Sequence, residues 1–116
     1  MKNDVNLQKG NTNMIILKLL DDKDMYGYQI IEELARRSDD TFKLKSGTLY
    51  PLLHLMEDNG LISSYELEEV TQRPRRYYRI SPKGKQFLYE KEKEWNIYSK
   101  AVNRVLQGGV PFECAR

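Results

Sequence analysis

The chain has very little with which to build a metal centre or a covalent cross-link. Its 116 residues include one cysteine and one histidine, placed far apart at Cys114 and His54. A lone cysteine closes no internal disulfide, which argues against a secreted, cross-linked scaffold. One histidine and one remote cysteine make no zinc set. Glycine-rich phosphate loops and nucleophile elbows are also missing, so no metal and no cofactor are expected. Nothing marks an enzyme, although spacing alone leaves a Ser, Asp and His constellation open. Apolar runs are short. The most apolar stretch, 14–20, is broken by Lys18 and could not cross a bilayer, and no N-terminal stretch has signal-peptide form. The expected setting is cytoplasmic, with no membrane partner. Repeats and low-complexity segments are lacking too. Charge is nearly balanced: 31% of residues are charged, yet the net charge is only +2. Any nucleic-acid role must therefore rest on where the charges sit.

What is present reads as one domain. A hydrophobic fraction of 40% allows a single modest core, to which pairing with a second copy would add buried area. After a polar start at 1–4, expected to fray, a first helix is predicted from 5 or 7 to 20. Met14, Ile15, Ile16, Leu17, Leu19 and Leu20 make it apolar on nearly every side, so it needs cover from more than one direction. Asp21-Asp22-Lys23-Asp24 reads as a polar turn. A second helix is predicted over 26–37, with Ile30, Ile31 and Leu34 inward and Gly27 packed closely against another element. Ser38-Asp39-Asp40 is a turn. A third helix over 47–59 would be capped by Ser46 or Thr48. With Thr48 as cap, Pro51 falls in the first turn. Asn59-Gly60 is a stop signal. Strand character then appears over 61–67 and 76–80, around a polar loop holding Pro74, which reads as a β-hairpin. Ser81 as cap and Pro82 at the first position open a last helix that runs to about 106 and ends at Gly108-Gly109. The fold class is mainly α with a small β-hairpin: a winged helix-turn-helix over 5–80, a long C-terminal dimerisation helix over 81–107, and a flexible tail over 108–116.

Basic residues gather in one segment. Arg73, Arg75, Arg76, Arg79, Lys83 and Lys85 lie between Gln72 and Lys85 with no acid among them. Arg73-Pro74-Arg75-Arg76 is expected at the hairpin tip, where a stiff positive loop suits DNA phosphates or a minor groove. A merely solvated charge run is the blander account, but an unbalanced run on a hairpin tip favours DNA. Lys43, Lys45, Ser46, Gly47 and Thr48 precede or open the third helix, and Tyr50 and His54 follow near one face. The first turns of a recognition helix meet base edges and phosphates, and a helix cap is compatible with that role. His54 taken alone would more often be an ordinary surface histidine. Of the two tyrosines flanking Gly27, Tyr26 is the expected phosphate contact and Tyr28 the expected staple to the core.

In the last helix Leu88, Trp95 and Val102 recur every seven residues, and Lys91, Tyr98 and Val105 occupy most of the other seam position. So long a helix suits a twofold dimer, with Met14 and Leu17 of the first helix as the other wall. Trp95, the only tryptophan, reads first as a dimer-core aromatic. The sharper alternative is a platform, with Tyr98, for a small planar apolar effector.

These motifs occur together and in order: Met25-Tyr26-Gly27-Tyr28-Gln29-Ile30, Gly47-Thr48-Leu49-Tyr50-Pro51-Leu52-Leu53, Glu57-Asp58-Asn59-Gly60-Leu61-Ile62, Arg73-Pro74-Arg75-Arg76-Tyr77-Tyr78, and then Ser81 to Gly84. Together they resemble the PadR family of bacterial transcriptional regulators, over nearly everything from 7 to 106. The resemblance implies a winged-helix repressor that dimerises through its first and last helices and binds a pseudo-palindromic double-stranded operator. The short single C-terminal helix resembles the branch containing a multidrug-resistance regulator, in which a tryptophan pair stacks on flat drugs between subunits. Trp95 stands in that tryptophan's place. Two features depart from the pattern: Glu66, Glu68 and Glu69 make the first wing strand acidic, and the tail from Gly108 matches nothing in it. A winged helix used only for protein contact is the competing reading.

Overall fold

The computed structural model describes residues 2–69 and 72–108, with side chains described over 11–68 and 73–108. The expected tail beyond Gly108, Cys114 included, lies outside the described residues. Seven elements follow in order: α1 (Lys2–Asp22), β1 (Met25–Tyr26), α2 (Gly27–Arg37), α3 (Ser46–Asp58), β2 (Ile62–Glu69), β3 (Gln72–Ile80) and α4 (Pro82–Leu106). This is the mainly helical architecture with a wing that the sequence predicts. α1 is longer than expected at both ends, beginning at Lys2 and absorbing Asp21 and Asp22.

The core explains why α1 is so apolar. Ile16, Leu17, Leu19 and Leu20 are all buried, in one cluster with Met25, Ile30, Leu34, Leu49, Leu53, Met56, Leu61, Ile62, Tyr78, Ile80 and Leu88. α1 packs on α2, α4 and β3 at once, so its apolar residues on several sides all find cover.

Two expectations are corrected at this point. Leu17 is fully buried and Leu88 is 4% exposed within a single chain. Neither keeps surface for a second copy, so both leave the expected dimer seam. Seven-residue spacing put Leu88 in line with Trp95, but α1 of the same chain already covers that turn of α4. The large apolar residues that α4 leaves exposed are Tyr89, Trp95, Ile97, Tyr98, Val105 and Leu106. Val102 is half-buried, as is Met14 on α1.

The sheet is three-stranded and antiparallel, in the order β1-β3-β2. β1 is a strand that the sequence reading does not contain: Met25 pairs with Tyr78 and Tyr26 with Tyr77. The hairpin is also longer than predicted. β3 starts at Gln72, so Arg73, Pro74, Arg75 and Arg76 belong to a strand and not to the tip of a loop. Arg76 pairs with Glu66 and Arg75 with Leu67, after which the register shifts before Glu69 meets Gln72. β3 thus carries one extra residue, and Pro74 falls in this bulge. A bulge tolerates a residue with no N–H to donate, and β1 does not reach that far along β3.

α4 begins as predicted. The Gly84 N–H donates to Ser81 Oγ at 2.9 Å, and Pro82 occupies the first helical position. The start of α4 is also clipped to the turn after α3. Ser81 Oγ donates to the Gly60 carbonyl at 2.6 Å, and the Ser81 N–H donates to the Leu61 carbonyl at 3.0 Å. Gly60 has φ +77°, the left-handed backbone that the Asn59-Gly60 stop signal foretells. The turn after α2 holds Asp39 and Asp40 at φ 55° and 65°, a conformation that aspartate tolerates better than most residues.

Candidate nucleic-acid interface

α3 starts one residue earlier than expected, and this changes the roles of its hydroxyls. Lys45 stands at the cap position and makes no side-chain cap bond. Its carbonyl accepts the Thr48 and Leu49 N–H groups, both at 2.9 Å. Ser46 and Thr48 are therefore not caps, and Pro51 lies in the second turn. Ser46, Gly47, Thr48, Tyr50 and His54 are all exposed along this helix, while Leu49, Leu53 and Met56 turn into the core. The outward face has hydroxyl groups, and Lys43 and Lys45 are exposed just before it. Lys43 also borders a separate groove beside Trp95.

Gly27 is where α2 and α3 meet. A Cβ at this position would collide with the hydroxyl end of the Tyr50 ring, so only glycine lets that ring lie across the start of α2. Tyr50 nevertheless remains 45% exposed. It forms one wall of an open cleft of about 560 Å³ lined by Tyr26, Gly27, Tyr28, Tyr50, Arg75, Arg76 and Tyr78. The cleft lies between the start of α2 with Tyr50 of α3 and strand β3, which brings the Arg75 and Arg76 guanidinium groups to it along with Tyr78. Burial raises the pKa of the Tyr78 hydroxyl above its ordinary value. The Tyr28 hydroxyl is also raised, chiefly by the neighbouring Glu32 carboxylate. Both stay neutral at physiological pH and act only as hydrogen-bonding groups.

Strand alternation sorts the wing residues between two faces. Tyr78 and Ile80 point into the core, and Arg76 lies on that same inner face. Its Nη1 donates to Ser64 Oγ at 2.7 Å, and Ser64 Oγ donates to Glu57 Oε2 of α3 at 2.7 Å. Arg75, Tyr77 and Arg79 take the outer face. The Tyr77 ring meets Tyr26 edge-on at 5.4 Å and stacks on Tyr65 at 5.8 Å. Arg75 lies over the Tyr26 ring at 4.4 Å, a cation–π contact. Arg79 Nε and Tyr65 Oη both donate to Asp24 Oδ2, at 3.2 Å and 2.6 Å. This shared carboxylate raises the Tyr65 hydroxyl's pKa. Tyr26 is thus half-buried against the sheet, while Tyr28 is 59% exposed, the reverse of the exposure expected for a contact and a staple. Arg73 is exposed beyond the bulge.

A second feature lies far from this cleft. Trp95 is 41% exposed and forms one wall of a groove of about 510 Å³, with Met14, Ile15, Leu34, Phe42 and Leu44 among the other lining residues. Tyr98 does not line it. The two ring centres are 6.0 Å apart, and Tyr98 faces outward. Lys18 of α1 pairs with Glu92 of α4 at 3.4 Å. At the end of α2, hydrogen bonds from Arg36 and then Arg37 hold the Glu33 carboxyl down to about 2.

The fold therefore gathers Tyr26, Tyr50, Arg75 and Arg76 around one cleft, leaves Gly47 and Thr48 exposed on α3, and sets Trp95 and Tyr98 apart on α4. Sequence reasoning missed Glu57 and Ser64, which tether the wing, and Asp24 and Tyr65 on its outer face. Among the described residues no cluster of His, Cys, Asp or Glu could hold a metal ion, and no helix is long and apolar enough to cross a membrane.

A helix pair, a basic wing and an exposed recognition-helix face define the winged helix-turn-helix class of transcriptional regulators. The family model described as the transcriptional regulator PadR-like family matches residues 16–90, and the chain belongs to that family, one of transcription regulators. The transcriptional regulator Rv3488 of Mycobacterium tuberculosis is 36% identical over 83 residues, covering 72% of this chain and 74% of that protein. A solved transcriptional regulator from Clostridium thermocellum is 36% identical with a TM-score of 0.76, covering 85% of this chain and 96% of its own. A PadR family transcription regulator from hypervirulent Clostridium difficile is 38% identical with a TM-score of 0.71, covering 81% and 96%.

Proposed function

We propose that the chain is a sequence-specific DNA-binding repressor that acts in the bacterial cytoplasm as a homodimer on a pseudo-palindromic operator. The observation that carries this reading is the one cleft shared by Tyr50, on the open face of α3, and the two wing guanidinium groups. α3 would enter a major groove, with Ser46, Gly47, Thr48, Tyr50 and His54 toward bases or phosphates. Lys43, Lys45, Arg73, Arg75 and Arg76 would supply the sequence-independent attraction. Tyr26 would act chiefly by holding Arg75 in place. Residues 5–80 form the DNA-binding unit in this reading and 81–107 the dimerisation helix. Trp95, Tyr98, Val102 and Val105 on α4, with Met14 on α1, would bury apolar surface against a second copy.

A gel shift on DNA upstream of the chain's own coding sequence tests the reading. A complex that weakens steeply with salt is expected, with a log–log slope of roughly −0.9 per phosphate neutralised. No salt-sensitive complex, or monomeric elution of the protein at micromolar concentration, would count against it.

The release mechanism rests on Trp95. Its ring and the apolar groove beside it suit a small planar hydrophobic effector. Titration with a planar cationic dye is expected to quench Trp95 fluorescence and to release bound DNA. In Trp95→Ala the dye should no longer release DNA. Equal release in both proteins would remove the effector role and leave Trp95 as packing between subunits.

A further inference from the structure

We propose that Ser64 and Glu57 are positioning residues for Arg76, and that their relay decides whether this wing guanidinium is available to DNA. The inference rests on the DNA-binding reading above and deepens it.

The direction of the relay is fixed by chemistry. A guanidinium only donates, a carboxylate only accepts, and a hydroxyl has one hydrogen. Arg76 Nη1 therefore donates to Ser64 Oγ at 2.7 Å, and Ser64 spends its single hydrogen on Glu57 Oε2 at 2.7 Å. The Glu57 charge polarises the hydroxyl and makes it a better acceptor. Three elements are joined by these two bonds, since Glu57 is on α3, Ser64 on β2 and Arg76 on β3.

Register explains why the relay matters. Glu66 stands directly opposite Arg76 on β2, so the two share a face. A guanidinium paired there with a carboxylate would lose most of its charge to a fork-shaped contact. Ser64 lies two residues back on the same face and offers a neutral oxygen in place of a charged one. It occupies one of five N–H groups and leaves the others facing the cleft that Arg76 shares with Tyr50, Gly27 and Arg75. Arg76 is also exposed, so without the relay its long side chain would have to be ordered at the moment of binding.

The test uses the full chain, a duplex spanning the DNA upstream of its coding sequence, and a scrambled duplex of equal length. Ser64→Ala should weaken binding about three- to tenfold and flatten the salt slope by up to about 0.9 per subunit, the equivalent of one lost phosphate contact. Ser64→Thr keeps the hydroxyl and should restore both values. Arg76→Ala should show the same slope change, and adding Ser64→Ala to it should cost nothing more, because partners in one contact are not additive. The melting midpoint of Ser64→Ala should fall by no more than several degrees, for the loss of one part-buried hydrogen bond, so the protein stays folded at the temperature of the binding assay. If Ser64→Ala keeps the wild-type affinity and slope, or the double variant shows the full additive loss, the proposal is overturned while the DNA reading stands. A wild-type chain that shifts no duplex overturns both.

Discussion

Replacing Gly84 by alanine is expected to lower the melting midpoint by about 10–20 °C, read from the helical circular dichroism signal on heating. Gly84 is the third residue of α4. A Cβ there would run into the Leu61 carbonyl oxygen, with Ile80 Cγ1 only 2.9 Å away. That carbonyl is also the acceptor for the Ser81 N–H. The chain must either move α4 off the turn or break the clip, at a cost of about 2–4 kcal/mol for overpacking plus a lost buried hydrogen bond. Helix propensity argues for the opposite sign, since alanine in place of a helical glycine contributes up to about 1 kcal/mol of stability. A midpoint that stays level or rises would mean that the close approach does not constrain the fold.

Alanine at Arg73, Arg75 and Arg76 together is expected to weaken DNA binding by a hundredfold or more at about 0.1 M salt. It should also reduce the salt slope by up to about 2.7 per subunit, for three phosphate contacts. Specific and scrambled duplexes should lose affinity alike, because phosphate contacts do not read sequence. Arg79→Ala is the informative control. It removes the same charge from the same strand, but Arg79 is held by Asp24 and Tyr65 and does not line the cleft. Exposed pairs of that kind contribute little, so binding should change by no more than about twofold. Equal losses from Arg79 and from the cleft arginines would reduce the wing to a diffuse positive field with no defined contact face.

The elements that could be read from sequence carry their own local signals. Ser81-Pro82 specifies a helix start through a cap and a preset φ, and Asn59-Gly60 a helix end through a left-handed residue. β1 has no such signal. Met25 and Tyr26 become a strand only because Tyr77 and Tyr78, some fifty residues later, offer an edge to pair with. Pro74 misled for a related reason: a proline reads as a loop until a bulge gives it a place in a strand, and this moved the arginines off the expected tip. Leu88 shows the limit of periodicity. Seven-residue spacing identifies a stripe on α4, but not whether the same chain already covers it. At the cleft, Tyr50, Arg75 and Arg76 stood out by type and position. Glu57 and Ser64 did not, since a glutamate near a helix end and a serine in a strand are commonplace until folding brings them to 2.7 Å.

The clip at the start of α4 has a mechanical consequence. At about 1.5 Å per residue, the 25 residues of α4 make a rod of about 37 Å, so a pivot of about 5° at its base sweeps the far end through about 3 Å. β1 and β2 brace β3 from both edges, so the head on that rod turns as one piece. A wedge at Trp95, partway along the rod, would leave each head intact and alter the spacing and tilt between two of them. Half-sites on a duplex sit at fixed intervals of about 34–36 Å, and two heads thrown off by a few ångströms could no longer both be in register with the groove.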